Sequence, residues 1–163
     1  MIGYTPKRDY QYVAINQRLR ALHAEIVADV VRDIENLCGR RIPMDPESCL
    51  LELNCNLFIS VVISRCFTTP SGTRRWKIRF DSGLRPDVTV AVRMDVRNES
   101  IQDYYILPAL EFSADQLRLS EENSGFLDGF RTDTLDYLLK LSVNISLDKA
   151  VHHGAWGHSA YFH

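Results

Sequence analysis

An α+β fold is predicted for this chain: one long amphipathic helix, then a sheet of four or five strands, then a shorter helical region. Three observations carry the prediction. An apolar stripe at helical spacing runs from Leu19 to Leu37, several segments between Cys49 and Leu107 show strand-like patterns, and helical spacing returns after Asp128. Apolar residues make up 45% of the 163 residues and charged residues 25%, enough apolar content to build a core.

Leu19, Leu22, Ile26, Val30, Ile34 and Leu37 recur every three or four positions, and Val27 and Val31 widen the stripe. The opposite face carries Arg20, Glu25, Asp29, Arg32, Asp33 and Glu35. Gly39 stands where a helix closes on a left-handed residue, and Arg40 and Arg41 follow near the negative end of the dipole. Pro43 and Asp45-Pro46 then break the chain.

Cys49-Leu50-Leu51-Glu52-Leu53 reads as the first strand, and Asn54-Cys55-Asn56 as a tight turn. Leu57 to Cys66 is rich in β-branched residues and nearly continuous in apolarity, as a strand buried on both faces would be. After a turn at Pro70-Ser71-Gly72, Arg74 to Asp81 alternates strictly. Trp76, Ile78 and Phe80 share one face, and Arg75, Lys77 and Arg79 share the other. Val88 to Met94 and Asp103 to Leu107 complete a mostly antiparallel or mixed sheet. Phe130, Leu135, Leu138, Leu139 and Leu141 predict the last helix, from Asp128 onward. One domain over residues 1–150, with its core at 16–145, is expected, ahead of a flexible His-rich tail at 151–163.

No apolar run approaches the roughly 20 residues a membrane span needs, and Met1 to Arg8 contains no apolar signal core. A cytoplasmic protein with reduced thiols is expected. Cys38, Cys49, Cys55 and Cys66 form no C-x-x-C pair, and Cys49 and Cys66 have the apolar surroundings of small core residues. His152, His153, His158 and His163 cluster among glycine and small residues, too loosely held for a metal site. No nucleophile elbow, phosphate loop or dinucleotide fingerprint occurs, and no metal or cofactor is expected.

Net charge is −2, yet its distribution is uneven. Between Arg65 and Arg97, eight basic residues against three acidic ones give +5, which leaves −7 for the remainder. Arg65, Arg74, Arg75, Lys77 and Arg79 are the candidate nucleic-acid-binding residues, with DNA the candidate partner. The plainer alternative is a solvated sheet face. A third is a regulatory domain that docks an acidic protein or a second copy of itself, with Tyr104 and Tyr105 exposed at the interface edge.

Phosphodiester cleavage needs carboxylates that anchor Mg²⁺, and the candidates at strand edges are Asp45, Glu47, Glu52, Asp81, Asp87, Asp95 and Asp103. Here the order of elements resembles the PD-(D/E)XK restriction-endonuclease-like superfamily. A helix, a hairpin, a strand with Trp76 near its start, a D-V-T-V-A-V strand and then D-Y-Y-I-L-P carry the likeness over about residues 20 to 112. The resemblance implies an acid on the first hairpin strand and an acid-x-Lys pair on the second, which together bind Mg²⁺ and activate water.

Glu52 matches the first acid, but Ile63 and Arg65 stand where the pair is expected. Arginine does not lose its proton near neutral pH and substitutes poorly for a water-positioning lysine. The resemblance therefore implies the fold and a catalytically silent site; an active nuclease would use Glu52 and Arg65 with Mg²⁺. The R-W-K-I-R-F-D and R-P-D-V-T-V-A-V-R-M-D segments are also similar to a domain of bacterial recombinase-family proteins, which implies a setting in DNA recombination or mobile elements.

Overall fold

The computed structural model describes residues 6–45, 50–54, 57–80, 86–112, 114–141 and 144. Helix α1 spans Pro6–Cys38. Its stripe buries Ile26, Val30 and Ile34, with Leu22, Val31 and Leu37 partly covered beside them. Gly39 ends the helix at φ +69°, where its N–H and that of Arg40 donate to the Glu35 carbonyl at 2.8 and 3.3 Å. The Glu35 carboxylate then accepts the Ile42 N–H at 3.0 Å and fixes the exit of the chain.

Eight strands follow: β1 (Leu51–Asn54), β2 (Leu57–Ser64), β3 (Cys66–Thr68), β4 (Arg74–Arg79), β5 (Val88–Met94), β6 (Ile101–Pro108), β7 (Gln116–Ser120) and β8 (Arg131–Thr132). They make two sheets. One has the order β1-β2-β5-β6-β8, and the other β3-β4-β7. Period-two alternation sorts the side chains of the larger sheet between two cores. Leu57, Ile59, Val88, Val90, Val92, Met94, Tyr104 and Ile106 face α1. Ala91, Tyr105 and Leu107 face the smaller sheet, where Trp76, Ile78 and Leu119 meet them. Every residue of β5 is buried, because it is the strand covered on both sides. No described helix is long and apolar enough to cross a membrane.

The observed fold is α+β; beside the unexpected strand β7, it departs from the expected elements in three ways. The strand expected from Leu57 to Cys66 divides at Arg65. Ser64 makes the last pair with β5, opposite Arg93, and Cys66 makes the first pair of the smaller sheet, opposite Trp76. The ribbon changes sheets at this corner. The buried Ser64 hydroxyl donates to the Lys77 carbonyl at 2.7 Å. Asn98, at φ +57°, accepts the Cys66 N–H at 2.7 Å and donates to the Cys66 carbonyl at 3.0 Å. Because the β3–β4 hairpin leaves the larger sheet, β2 and β5 become parallel neighbours, which makes that sheet mixed.

The second departure concerns the last helix. Residues 125–130 form a 3₁₀ segment and Arg131–Thr132 join the edge of β6, so α2 (residues 136–141) begins eight residues later than Asp128. Leu135 and Leu138 still enter the α1-side core. The third is the burial of Tyr104 and Tyr105, expected at an exposed edge; β6 lies inside the sheet between β5 and β8, with a core on each face. Cys49, Cys55, Glu47, Asp81, Arg85 and the His-rich segment 151–163 lie outside the described residues.

The layers are joined by a charge. Arg93, on the inner face of β5, donates through Nε and Nη2 to both carboxylate oxygens of Asp103, at 2.8 and 2.5 Å. Asp103 is 2% exposed and Arg93 5%. The guanidinium lies 4.9 Å from the Trp76 ring centroid and 5.4 Å from that of Tyr105. Burial disfavours the Arg93 charge, but the hydrogen bonds and charge of Asp103 outweigh it and push its pKa up. Removing one partner strands the other without water. Asp103→Ala is therefore expected to lower unfolding stability by about 3–5 kcal/mol in urea titration, against less than about 1 kcal/mol for the exposed Arg32→Ala.

The β5–β6 turn supplies a pH test. Asp95 accepts the Glu99 N–H at 2.9 Å and the Ser100 hydroxyl at 2.9 Å, which hold its carboxyl below the ordinary value of 3.8. A depressed carboxylate contributes stability above the unfolded value and loses it as pH falls through the folded one. Amide exchange at Glu99 and Ser100, corrected for intrinsic rates, should accelerate only below the ordinary aspartate range. In Asp95→Asn that pH step should vanish.

Candidate nucleic-acid interface

Strand β4 buries Trp76 and Ile78, so the pleat turns Arg75, Lys77 and Arg79 to the outer face of the smaller sheet. The Trp76 Nε1–H donates to the Met94 carbonyl at 2.8 Å and pins this orientation. Strand β7 obeys the same rule. Leu117 and Leu119 point inward, and Arg118 points outward, directly opposite Lys77 in the antiparallel register. Arg75 and Arg79 flank Lys77 at about 6.8 Å along the strand. Phe67 of β3 is opposite Arg75, and its ring takes the Lys77 ammonium at 5.3 Å.

No described carboxylate makes an ion pair with Arg75, Lys77, Arg79 or Arg118. Arg75 donates to the Arg74 carbonyl at 2.9 Å. Arg74 itself is bridged to Glu121 at 3.2 Å at the edge of the sheet. Glu121 and Glu122 border the cationic face at one end of β7, and Asp115 borders it at the other. Like charges placed directly opposite each other on a sheet are destabilising, so the Lys77–Arg118 pair costs the free protein stability.

The expected binding residues are thus divided. Arg75, Lys77 and Arg79 come together on one face, while Arg74 is held by Glu121. Arg65 lies near His23 of α1, on the other side of the larger sheet. The His23 pKa is lowered by burial and, to a smaller extent, by the Arg65 charge. Arg118 completes the face. Its signal in the sequence is the alternation of Gln116-Leu117-Arg118-Leu119-Ser120, which matches that of β4. Arg93, counted in the basic segment, is internal and neutralised.

Glu52 and Arg65 stand toward opposite ends of β2. Glu52 is an exposed residue of β1 opposite Phe58, and Leu51 and Leu53 on either side of it turn toward α1. Six residues of β2 separate Phe58 from Arg65, a rise of about 23 Å along the strand. Three of the other candidate carboxylates have structural partners among the described residues. Asp87 accepts the Phe58 N–H at 2.8 Å and clamps β5 to β2, Asp95 caps its turn, and Asp103 holds Arg93. Among the described residues, no three His, Cys, Asp or Glu side chains are grouped to hold a metal ion.

No known protein family's profile matches the chain, and no curated protein matches its sequence. Among solved structures it is similar to a bacterial homing endonuclease, I-Ssp6803I. The two share 13% identity at a TM-score of 0.44, over 76% of this chain and 94% of that one.

The position of Arg65 can be checked independently of ligand. Arg65→Gln should raise the His23 pKa part of the way toward 6.5, since burial, the larger cause, persists. NMR titration of the imidazole would read the shift. An unchanged value would place Arg65 away from α1.

Proposed function

We propose that the outer face of the smaller sheet binds DNA by its phosphate backbone, without cutting it. The observation that carries this is the Lys77–Arg118 pair, cation opposite cation, with Arg75 and Arg79 alongside and no described acid in partnership. A polyanion would relieve the repulsion between them, and each phosphate contact would release condensed counterions. Among the described residues, the face holds no side chains arranged for a metal ion, and the Glu52–Arg65 separation supports a binding role over cleavage. Backbone contacts position a protein on a duplex and carry little sequence preference. Recombination or mobile-element DNA is the proposed setting, and it rests only on the sequence resemblance of the Arg75–Asp81 and Arg85–Asp95 segments to a recombinase-family domain.

A duplex-binding titration across a salt series tests this. With up to four phosphate contacts, log K against log salt should slope at about −3 to −4, and Lys77→Gln or Arg118→Gln should each reduce the slope by about 0.9. Arg74→Gln, at a residue already bridged to Glu121, should change it least. No binding at low ionic strength, or equal losses from all three variants, would overturn the assignment.

A further inference from the structure

On the α1 side of the larger sheet, remote from the cationic face, a cavity of about 410 Å³ opens between α1 and the start of α2. Asp33, Asp133 and Asp136 stand at it, Leu37 and Leu135 supply apolar wall, and Tyr104 of β6 lines it. Tyr104 is 8% exposed, and its hydroxyl has no hydrogen-bond partner among the described residues. A buried hydroxyl without a partner costs about 1–3 kcal/mol unless something in the cavity meets it. Burial raises the Tyr104 pKa, and the charges of Asp33 and then Asp29 raise it further, so it stays a neutral donor and acceptor.

The surrounding charges leave the cavity negative. Asp29 is bridged to Arg32 at 3.1 Å, and Asp133 meets Arg131 at 3.5 Å. Asp33 and Asp136 have no ion-pair partner among the described residues, and Lys140, one turn beyond Asp136, does not reach it. The carboxylates are not grouped for a metal ion. Acids spaced around an aromatic ring and two leucines match a different ligand. They suit an extended cation whose charge is spread over several N–H donors and whose stem is apolar.

We propose that this cavity is a binding site for an alkylguanidinium or alkylammonium group, held by Asp33 and Asp136, with its stem against Leu37 and Leu135 and the Tyr104 hydroxyl as a buried partner. That chemistry can come from an arginine or lysine side chain of a second copy of this chain or from a free small amine. The site is independent of DNA binding at the opposite face.

The probe is methylguanidinium chloride, titrated into the full chain by calorimetry or amide-shift NMR against sodium chloride at equal ionic strength. Saturable binding is expected, with the shifts centred on Asn36, Thr134 and Leu135. Asp33→Asn, at an exposed helix position, should weaken it about tenfold, the loss of one charged hydrogen bond. Tyr104→Phe keeps the buried ring and should weaken binding several-fold. Light scattering at low salt separates the sources. A mass above the monomer that falls on adding methylguanidinium identifies a second copy, and an unchanged monomer mass with saturable binding identifies a free amine. No saturable binding, or binding untouched by Asp33→Asn, overturns the proposal.

Discussion

The fold depends on one buried ion pair. Arg93 and Asp103 face each other across β5 and β6 beneath the smaller sheet, and their partners come from three other strands. Trp76 of β4 covers the guanidinium, the Ser120 carbonyl at the end of β7 accepts a third bond at 3.4 Å, and Arg131 of β8 reaches Asp103 at 3.2 Å. A pair this deep must be fully hydrogen-bonded to repay its desolvation, so its worth lies less in net stability than in register. Sliding β6 by one residue would turn Asp103 toward α1 and leave Arg93 buried alone. Docking of the second sheet and the alignment of the first are therefore one event.

That alignment produces the cationic face. Once Trp76, Ile78 and Leu119 are committed to the inner core, the pleat leaves Arg75, Lys77, Arg79 and Arg118 no direction but outward. A single-residue bulge in β4 or β7 would instead have alternated cations with leucines at the surface. The opposite side of the molecule is acidic near the α1–α2 cavity, so the chain is electrically polarised across the central sheet. A polarised surface orients a protein as it approaches a polyanion and turns its acidic side away.

Much of this architecture is legible residue by residue. The Ile26–Val30–Ile34 stripe, the Gly39 stop, the strict alternation around Trp76 and the strand at Val88–Met94 are local patterns, and each occupies the element predicted for it. The errors share a cause. Leu57 to Cys66 looks uniform, but it divides where β5 ceases to be its partner and β4 begins. Tyr104 and Tyr105 look like surface aromatics only until β8, two residues long and without a pattern of its own, closes the edge beside them.

The sequence by itself determined the long helix, the main strands and the face of β4 on which Arg75 and Arg79 fall, because helix and strand periods are properties of the local backbone. Only the tertiary structure decided the fate of each charge. Arg93 went inward to Asp103, Arg74 was taken up by Glu121, Arg65 went to the α1 side, and Arg118 arrived from forty residues away to stand opposite Lys77. Whether a cation is neutralised or left available depends on the register between strands distant in the chain, and no local period encodes that.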